Sequence, residues 1–499
     1  MRKVSLCLAV VSTLALSACS DVDDTTPPTE TSVDTELQSK ISSLGLTGDP
    51  TTGRTLPSIN DPKAQLGMKL FFTKDLGGEQ DSACVTCHHP SLGGGDDLSL
   101  PIGVHAEVAD LLGPGRRHSS ASAMHFDGGP TVPRNAPTTF NVALWDSVLF
   151  HDGRVESLDK TAGVNGAGDI RTPDSAFATA DPLAGQNLAV AQARFPVTSP
   201  EEMRADEYVN DGDNHALRAG LESRLNGSDT GTNGMDLPIN NWASEFEAAY
   251  GDTNPISYER IAEAIAEYER SQVFVDNPWK AYVEGDDNAI SEAAKEGALL
   301  FFTSVANDGA GCSDCHSGDF FTDEGFHVIA MPQIGRGKGN GPDGTDDFGR
   351  FRETADAADM YAFRTPSLLN VEVYGPWGHA GGYTSLEAVV KHHSNPQMAI
   401  DNYDFNQLEG SVQATNMTAN TQLAMDQLAA NRTAGTITPI LQDSNLTDEQ
   451  VSQIVMFLKS LTDPCVTDRS CLADWVPNAG DSNPDGLRVI AVDNNGNDL

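Results

Sequence analysis

Two five-residue stretches of this 499-residue chain carry side chains suited to one chemistry: Cys84-Val85-Thr86-Cys87-His88 and Cys312-Ser313-Asp314-Cys315-His316. C-x-x-C-H is the attachment signature of c-type haem. Two thiols at this spacing can form thioethers with the porphyrin vinyl groups. The adjacent imidazole is then held where it can bind the iron as proximal ligand. Four cysteines could instead make one zinc site, and a lone C-x-x-C could be a redox dithiol. Neither alternative explains why a histidine follows the second cysteine both times. Two covalently bound haem c groups are expected.

The likeness between the two stretches extends outward to the elements that must position them. Leu70-Phe71-Phe72-Thr73 precedes the first motif and Leu300-Phe301-Phe302-Thr303 the second. Downstream, Arg134-Asn135-Ala136-Pro137-Thr138-Thr139-Phe140-Asn141-Val142 is echoed by Arg364-Thr365-Pro366-Ser367-Leu368-Leu369-Asn370-Val371. His151-Asp152-Gly153 is echoed by His379-Ala380-Gly381, and both histidines lie 67 positions after the first cysteine of their own motif. That register argues for a duplicated module, one haem domain over 56–280 and another over 281–463. Two domains is also what the chain length suggests.

The ends read differently. Arg2 and Lys3 precede an apolar run from Leu6 to Leu16, which marks residues 1–18 as an export signal too short to span a bilayer. Leu16-Ser17-Ala18-Cys19 resembles a bacterial lipobox, so Cys19 is expected to carry lipid and to be the sole membrane attachment; an ordinary signal peptide is the alternative. Residues 19–55, rich in Asp, Thr, Pro and Ser without an apolar period, read as a flexible tether. Cys465 and Cys471 remain after the haem cysteines, and in an oxidising compartment they should close a small disulfide loop pinning the tail, 464–499. The formal charge of −41 argues against nucleic acid as a partner and could steer a basic electron donor; adaptation to a salty habitat explains it equally well.

The body reads as mainly α, with helices joined by long Gly-rich loops. Ile261, Ala264, Ile265 and Tyr268 share one face of a helix within 258–274, and a second helix over 289–302 leads into the second motif. Thr447-x-x-Gln450 is a capping box ahead of Val451, Ile454, Val455 and Leu458. Ser385 can cap a helix carrying Leu386, Val389, Val390 and His393 on its buried face, which turns His392 about 100° away. A satisfied interior histidine is the plain reading of His393. Residues 160–187 look like an insertion of little apolar content, and 331–359 like a charged surface loop.

Together with Phe150-His151-Asp152-Gly153-Arg154, these boxes resemble the bacterial diheme cytochrome c peroxidase family, which includes MauG-type enzymes that oxidise protein side chains. The resemblance covers about residues 56–463. It implies two α-helical cytochrome c-like domains with a calcium ion between them, an N-terminal haem that reacts with peroxide and a C-terminal haem that accepts electrons. By the match of Pro200-Glu201-Glu202-Met203, Glu202 is the acid–base residue of the peroxide pocket, with Gln192 as its companion. The sixth-ligand position of the second haem, Met in peroxidases and Tyr in MauG-type enzymes, is His393 here. Near the first haem His105 lies where many peroxidases carry a removable sixth ligand, with His118 and His125 competing. His151 stands where several members carry a Trp between the haems, and its duplicate at His379 suggests a structural role for both. Asn135, Tyr374 and Pro376 match the calcium-binding positions.

The resemblance implies reduction of hydrogen peroxide to water in the periplasm, with electrons from a small c-type cytochrome or copper protein; a homodimer is admitted. Its rivals are MauG-like oxidation of protein side chains and a bis-His electron carrier without an open iron. The pocket pair Glu202 and Gln192 argues against the carrier, and His393 argues against the plain peroxidase.

Overall fold

The computed structural model describes residues 32–119, 129–205, 208, 213–228, 237–435 and 438–499. The signal, Cys19 and His125 lie outside them. Among the described residues no helix is long and apolar enough to cross a membrane.

Residues 33–44, read as part of a tether, are a helix instead. α1 (Val33–Leu44) is capped by the Ser32 hydroxyl and buries Leu37 and Ile41, one turn apart, in the core of the second half. Two apolar residues at that spacing suffice once a partner helix exists, and polar composition around them hid the pattern.

In the first half, α2 (Pro62–Phe72) is apolar on nearly every face, and leads into the single turn at Cys84–Thr86. Three short strands, β1 (Val148–Leu149), β2 (Val155–Ser157) and β3 (Ile170–Arg171), form an antiparallel ribbon with Glu156 opposite Val148 and Arg171. α3 (Leu188–Gln192), α4 (Asn214–Leu225), α5 (Trp242–Tyr250) and α6 (Tyr258–Arg270) complete it. The periodic face of α6 packs on α2, where Gly67 is required. A Cβ there would stand 1.8 Å from the carbonyl oxygen of Ala264.

The second half repeats this contact. α7 (Pro278–Val283) is followed by α8 (Glu292–Phe302), and a Cβ on Gly297 would stand 2.0 Å from the carbonyl oxygen of Gln453. That carbonyl belongs to α13 (Asp448–Lys459), which starts at the expected Thr447–Gln450 capping box. Between them come the ribbon β4 (Phe326–His327) and β5 (Phe363–Arg364), then α9 (Phe351–Thr354), α10 (Leu386–Ser394), α11 (Pro396–Asp401) and α12 (Met417–Ala434). Gly67 and Gly297 each stand five residues before the second Phe of their Phe-Phe pair, so both helix crossings share one register.

Two large hydrophobic clusters result. One joins Phe71, Phe72, Trp242, Ile261, Ile265 and Tyr268, and the other Trp279, Tyr282, Phe301, Phe302, Phe321 and Phe457. The chain ends cross between them. While α1 packs on the second half, the tail returns to the first through α14 (Arg469–Leu472) and the expected Cys465–Cys471 disulfide. Backbone bonds Lys74 N–H to Leu487 O (3.1 Å) and Val489 N–H to Phe72 O (2.9 Å) then fix it at the end of α2.

The halves meet on buried charge. Arg134 donates to Asp152 of the first half at 2.5 Å and to Asp347 of the second at 2.6 and 2.8 Å. Arg350 donates to Glu156 at 2.6 Å, and Glu324 accepts the backbone N–H groups of Asp146 and Ser147 at 3.0 and 2.6 Å. The 331–359 segment is thus not a surface loop: Ile334, Asp346, Asp347 and Arg350 are buried, and Asp347 and Glu353 face Arg134 and Arg171 across the divide. Removing one partner from a buried ion pair typically costs about 3–5 kcal/mol. Arg134→Met is therefore expected to lower stability by roughly that amount in denaturant unfolding of the intact protein, whereas an unchanged midpoint would show that the triad does not hold the halves together.

Candidate haem and peroxide site

Each C-x-x-C-H stretch follows a helix whose Phe-Phe end is buried, so the motif emerges from the core into a shared cavity of about 530 Å³ between the halves. Cys84, Cys87, Cys312 and Cys315 all line it and none is in a disulfide. Burial pushes the thiols of Cys84, Cys87 and Cys312 up, that of Cys312 to about 12, so these three are not the ready thiolates of a redox dithiol. Among the described residues the four thiols form no shared metal-ligand cluster; Cys315 groups instead with Asp323 and His327.

The two proximal imidazoles are oriented alike. His88 Nδ1–H donates to Gly94 O at 3.2 Å, and His316 Nδ1–H donates to Phe321 O and Pro366 O, each at 3.1 Å. A carbonyl can only accept, so Nδ1 carries the proton and Nε2 keeps its lone pair for a metal. Burial lowers the basicity of both rings, that of His316 to about 4, with the charge of His393 adding to the effect. Free paired thiols with lone-pair imidazoles beside them, on one large cavity, fit two porphyrins.

His393 extends from α10 into the same cavity. Its Nδ1–H is spent on Val389 O at 2.9 Å, one turn back, and this leaves Nε2 as an available donor to iron. The burial expected from helical periodicity is reversed. His392 is the fully buried ring, bonded to the Tyr383 hydroxyl at 2.9 Å and to Ile329 O at 2.7 Å, while His393 is partly open to the cavity. Both imidazoles point inward, one into protein and one toward the place of a cofactor that periodicity cannot represent.

The first pocket is different. Ser199 caps the wide turn Pro200–Arg204, and the Ser82 hydroxyl donates to Glu202 O at 2.8 Å, tying the turn to the residues before Cys84. Glu202 and Gln192, at the end of α3, both line the cavity. Burial raises the Glu202 carboxyl, opposed by the charges of Arg154 and Lys338. The carboxyl of Glu269 lines the cavity too, raised to about 8 by burial, with one oxygen unpartnered.

His105 is not brought to this pocket. Its backbone takes a left-handed conformation (φ 61°), its N–H donates to Asp81 at 2.6 Å and its Nε2 pairs with Glu79 at 3.0 Å, outside the cavity lining. The nearby carboxylates explain the departure, since they offer the ring a partner that an apolar pocket does not. His118 lies edge-on to it, ring centres 6.0 Å apart.

Between the two motifs the cavity wall carries His151, bonded through Nε2 to Asn135 O at 3.0 Å, and His379, stacked on Phe363 at 3.8 Å. Asn135, Tyr374 and Pro376 lie on the same wall. The Asn135 amide donates to Leu98 O and Ser99 O at 2.9 and 3.2 Å, which aims its own oxygen elsewhere; an oxygen donor held this way suits a hard cation. The Tyr374 hydroxyl is committed to Ser367 O at 2.5 Å, so any ligation by that residue falls to its carbonyl.

Lys338 and Glu269 were missed by sequence reasoning. Lys338 stands in a Gly-rich charged segment indistinguishable from a surface loop, and Glu269 falls next to Tyr268 on an ordinary amphipathic helix; neither carried a signal.

With this geometry in hand, comparison with known proteins is informative. A family model described as di-haem cytochrome c peroxidase matches residues 61–288. The chain is 30% identical to the methylamine utilization protein MauG of Methylorubrum extorquens over 338 residues, covering 67% of this chain and 69% of that protein. It is 26% identical to the cytochrome c551 peroxidase of Pseudomonas aeruginosa over 345 residues, covering 68% of this chain and 74% of that one. In fold it is similar to the diheme peroxidase BthA of Burkholderia thailandensis, with TM-score 0.51 and 19% identity over 88% of this chain and 92% of the other. The chain belongs to the di-haem cytochrome c peroxidase family, alongside the MauG proteins.

Proposed function

We propose that the protein reduces hydrogen peroxide to water at the first pocket, with electrons entering through the second. One observation carries this reading: the pockets are unequal. The second presents two imidazoles with available Nε2, His316 and His393, while the first presents one, His88, with a carboxyl and an amide beside it. Two ring nitrogens suit an iron that only passes electrons; one ring and an acid suit an iron that binds substrate.

Bound through Cys84, Cys87, Cys312 and Cys315, the two haem c groups would supply the peroxide-binding iron and the electron path. The work of the protein is proton handling. Glu202 as carboxylate would take the proton from one oxygen of peroxide and return it to the other, which leaves as water. Gln192 orients the substrate. Overall, hydrogen peroxide takes up two electrons and two protons and yields two waters. The electrons come from a small periplasmic c-type cytochrome or copper protein, for which the acidic surface is a suitable partner. The matched glycine crossings of Gly67 and Gly297 support an origin of the halves by duplication. Asn135, Tyr374 and Pro376 would hold one calcium ion, and the leader with Cys19 supports export, a lipid anchor and, with the family, the option of a homodimer. The likeness to MauG keeps a second reading in view, in which a protein side chain is the electron source.

Two outcomes check this. Glu202→Gln should retain both haems and their spectra yet turn over peroxide at least about 10²-fold more slowly with an artificial donor. Wild-type rates in that variant would place the acid elsewhere. His393→Met should raise the midpoint potential of the second haem, because a thioether replaces an imidazole. His392→Ala should leave that potential alone and cost stability, since it removes two buried hydrogen bonds; spectroelectrochemistry showing the reverse assignment would exchange their roles.

A further inference from the structure

Lys338 has no role in the reading above, yet it is the one described cation from the second half that both lines the cavity and lacks a hydrogen bond or ion pair for its side-chain nitrogen. Its backbone is held. Lys338 N–H donates to Asp346 O at 2.9 Å, Arg352 donates to Lys338 O at 2.6 Å, and Asp347 anchors the end of the loop on Arg134. In a chain with 72 acidic and 31 basic residues, a half-buried lysine without a carboxylate of its own calls for an explanation.

The charges around it supply one. Lys338 is repelled by Arg134 and Arg154 and attracted by Asp152 and Glu202. Asp152 is already engaged by Arg134 at 2.5 Å and by Arg154 at 3.2 Å. The Glu202 carboxyl has a hydrogen bond with Ser199 but no ion pair among the described residues, so it is the acid left for the lysine. The charged groups facing Glu202 are Glu201 from its own turn, Arg154 from the segment entering β2, and Lys338 from across the divide.

We propose that Lys338 is a positioning residue through which the second half holds Glu202 as a carboxylate turned into the first pocket, ready to accept the proton of peroxide. This rests on the role of Glu202 given above. It makes the proton chemistry of one half depend on a side chain of the other, and on the Arg134 triad that docks the loop.

The test uses the full-length haem-loaded protein and a ligand other than peroxide. Hydrogen cyanide must give up its proton to bind ferric iron as cyanide, so its association rate reports the pocket base without turnover. An opposite charge within ~4–6 Å typically moves a carboxyl by 1–3 units. In Lys338→Met the acid limb of cyanide association, and of peroxide turnover, should move to higher pH by about one unit, slowing both about tenfold on that limb. Lys338→Arg should keep the wild-type limb, and the potentials of both haems should not change. Lys338→Gln repeats the test should the methionine variant fail to take up haem. An unmoved limb in the neutral variants, with Glu202→Gln abolishing it, overturns the proposal alone. A displaced first-haem potential with an unmoved limb also overturns it, because the lysine then serves the porphyrin carboxylates. If Glu202→Gln itself leaves the limb intact, the role of Glu202 falls as well.

Discussion

The guanidinium of Arg134, buried between Asp152 of one half and Asp347 of the other, is the constraint on which the rest of the molecule depends. Burial alone would raise both carboxyls; the cation overcomes it, bringing Asp347 to about 2 and Asp152 lower still, with Arg154 assisting. A buried ion pair is a weak source of net stability, because desolvation offsets the attraction, but a broken one is costly. Its consequence is register. Apolar surfaces would let the halves slide, whereas three hydrogen bonds of fixed direction do not. The neighbouring bond from Asn135 N–H to His379 O, at 2.9 Å, is placed by the same docking.

Register matters because the cavity has no wall of its own. The first half supplies His88, Gln192 and Glu202, and the second supplies His316, His379, His393 and Lys338. The rings of His88 and His316 are both turned by backbone carbonyls, a device that needs no particular side chain and leaves Nε2 of each with its lone pair. What distinguishes the pockets is an imidazole from α10 in one and an acid-bearing turn in the other.

Much of this was legible in the sequence, and the limits have physical causes. The capping box at Thr447, the Ser385 cap and the Cys465–Cys471 loop all depend on residues a few positions apart, and local chemistry decides them. Helical periodicity correctly put α10 against the interior. It could not tell His392 from His393, because periodicity reports a face and not whether protein or cofactor fills the space beyond it. α1 was hidden because its partner lies some 250 residues away, and polar neighbours masked Leu37 and Ile41. Lys338 was unreadable for the same reason: a charged residue in a Gly-rich loop acquires meaning only from the domain it reaches. His105 is turned toward Glu79 and Asp81 in this structure, acids too distant in sequence to weigh in advance.

Low-temperature EPR of the fully oxidised protein tests the central claim, unequal iron sites in one cavity, most directly. The expected spectrum holds two species in equal amount: a low-spin signal of an iron with two imidazoles, from His316 and His393, and a high-spin signal of an iron with His88 and an open position. Two low-spin signals of bis-imidazole type would contradict it, because no iron would then be open to peroxide in the oxidised state.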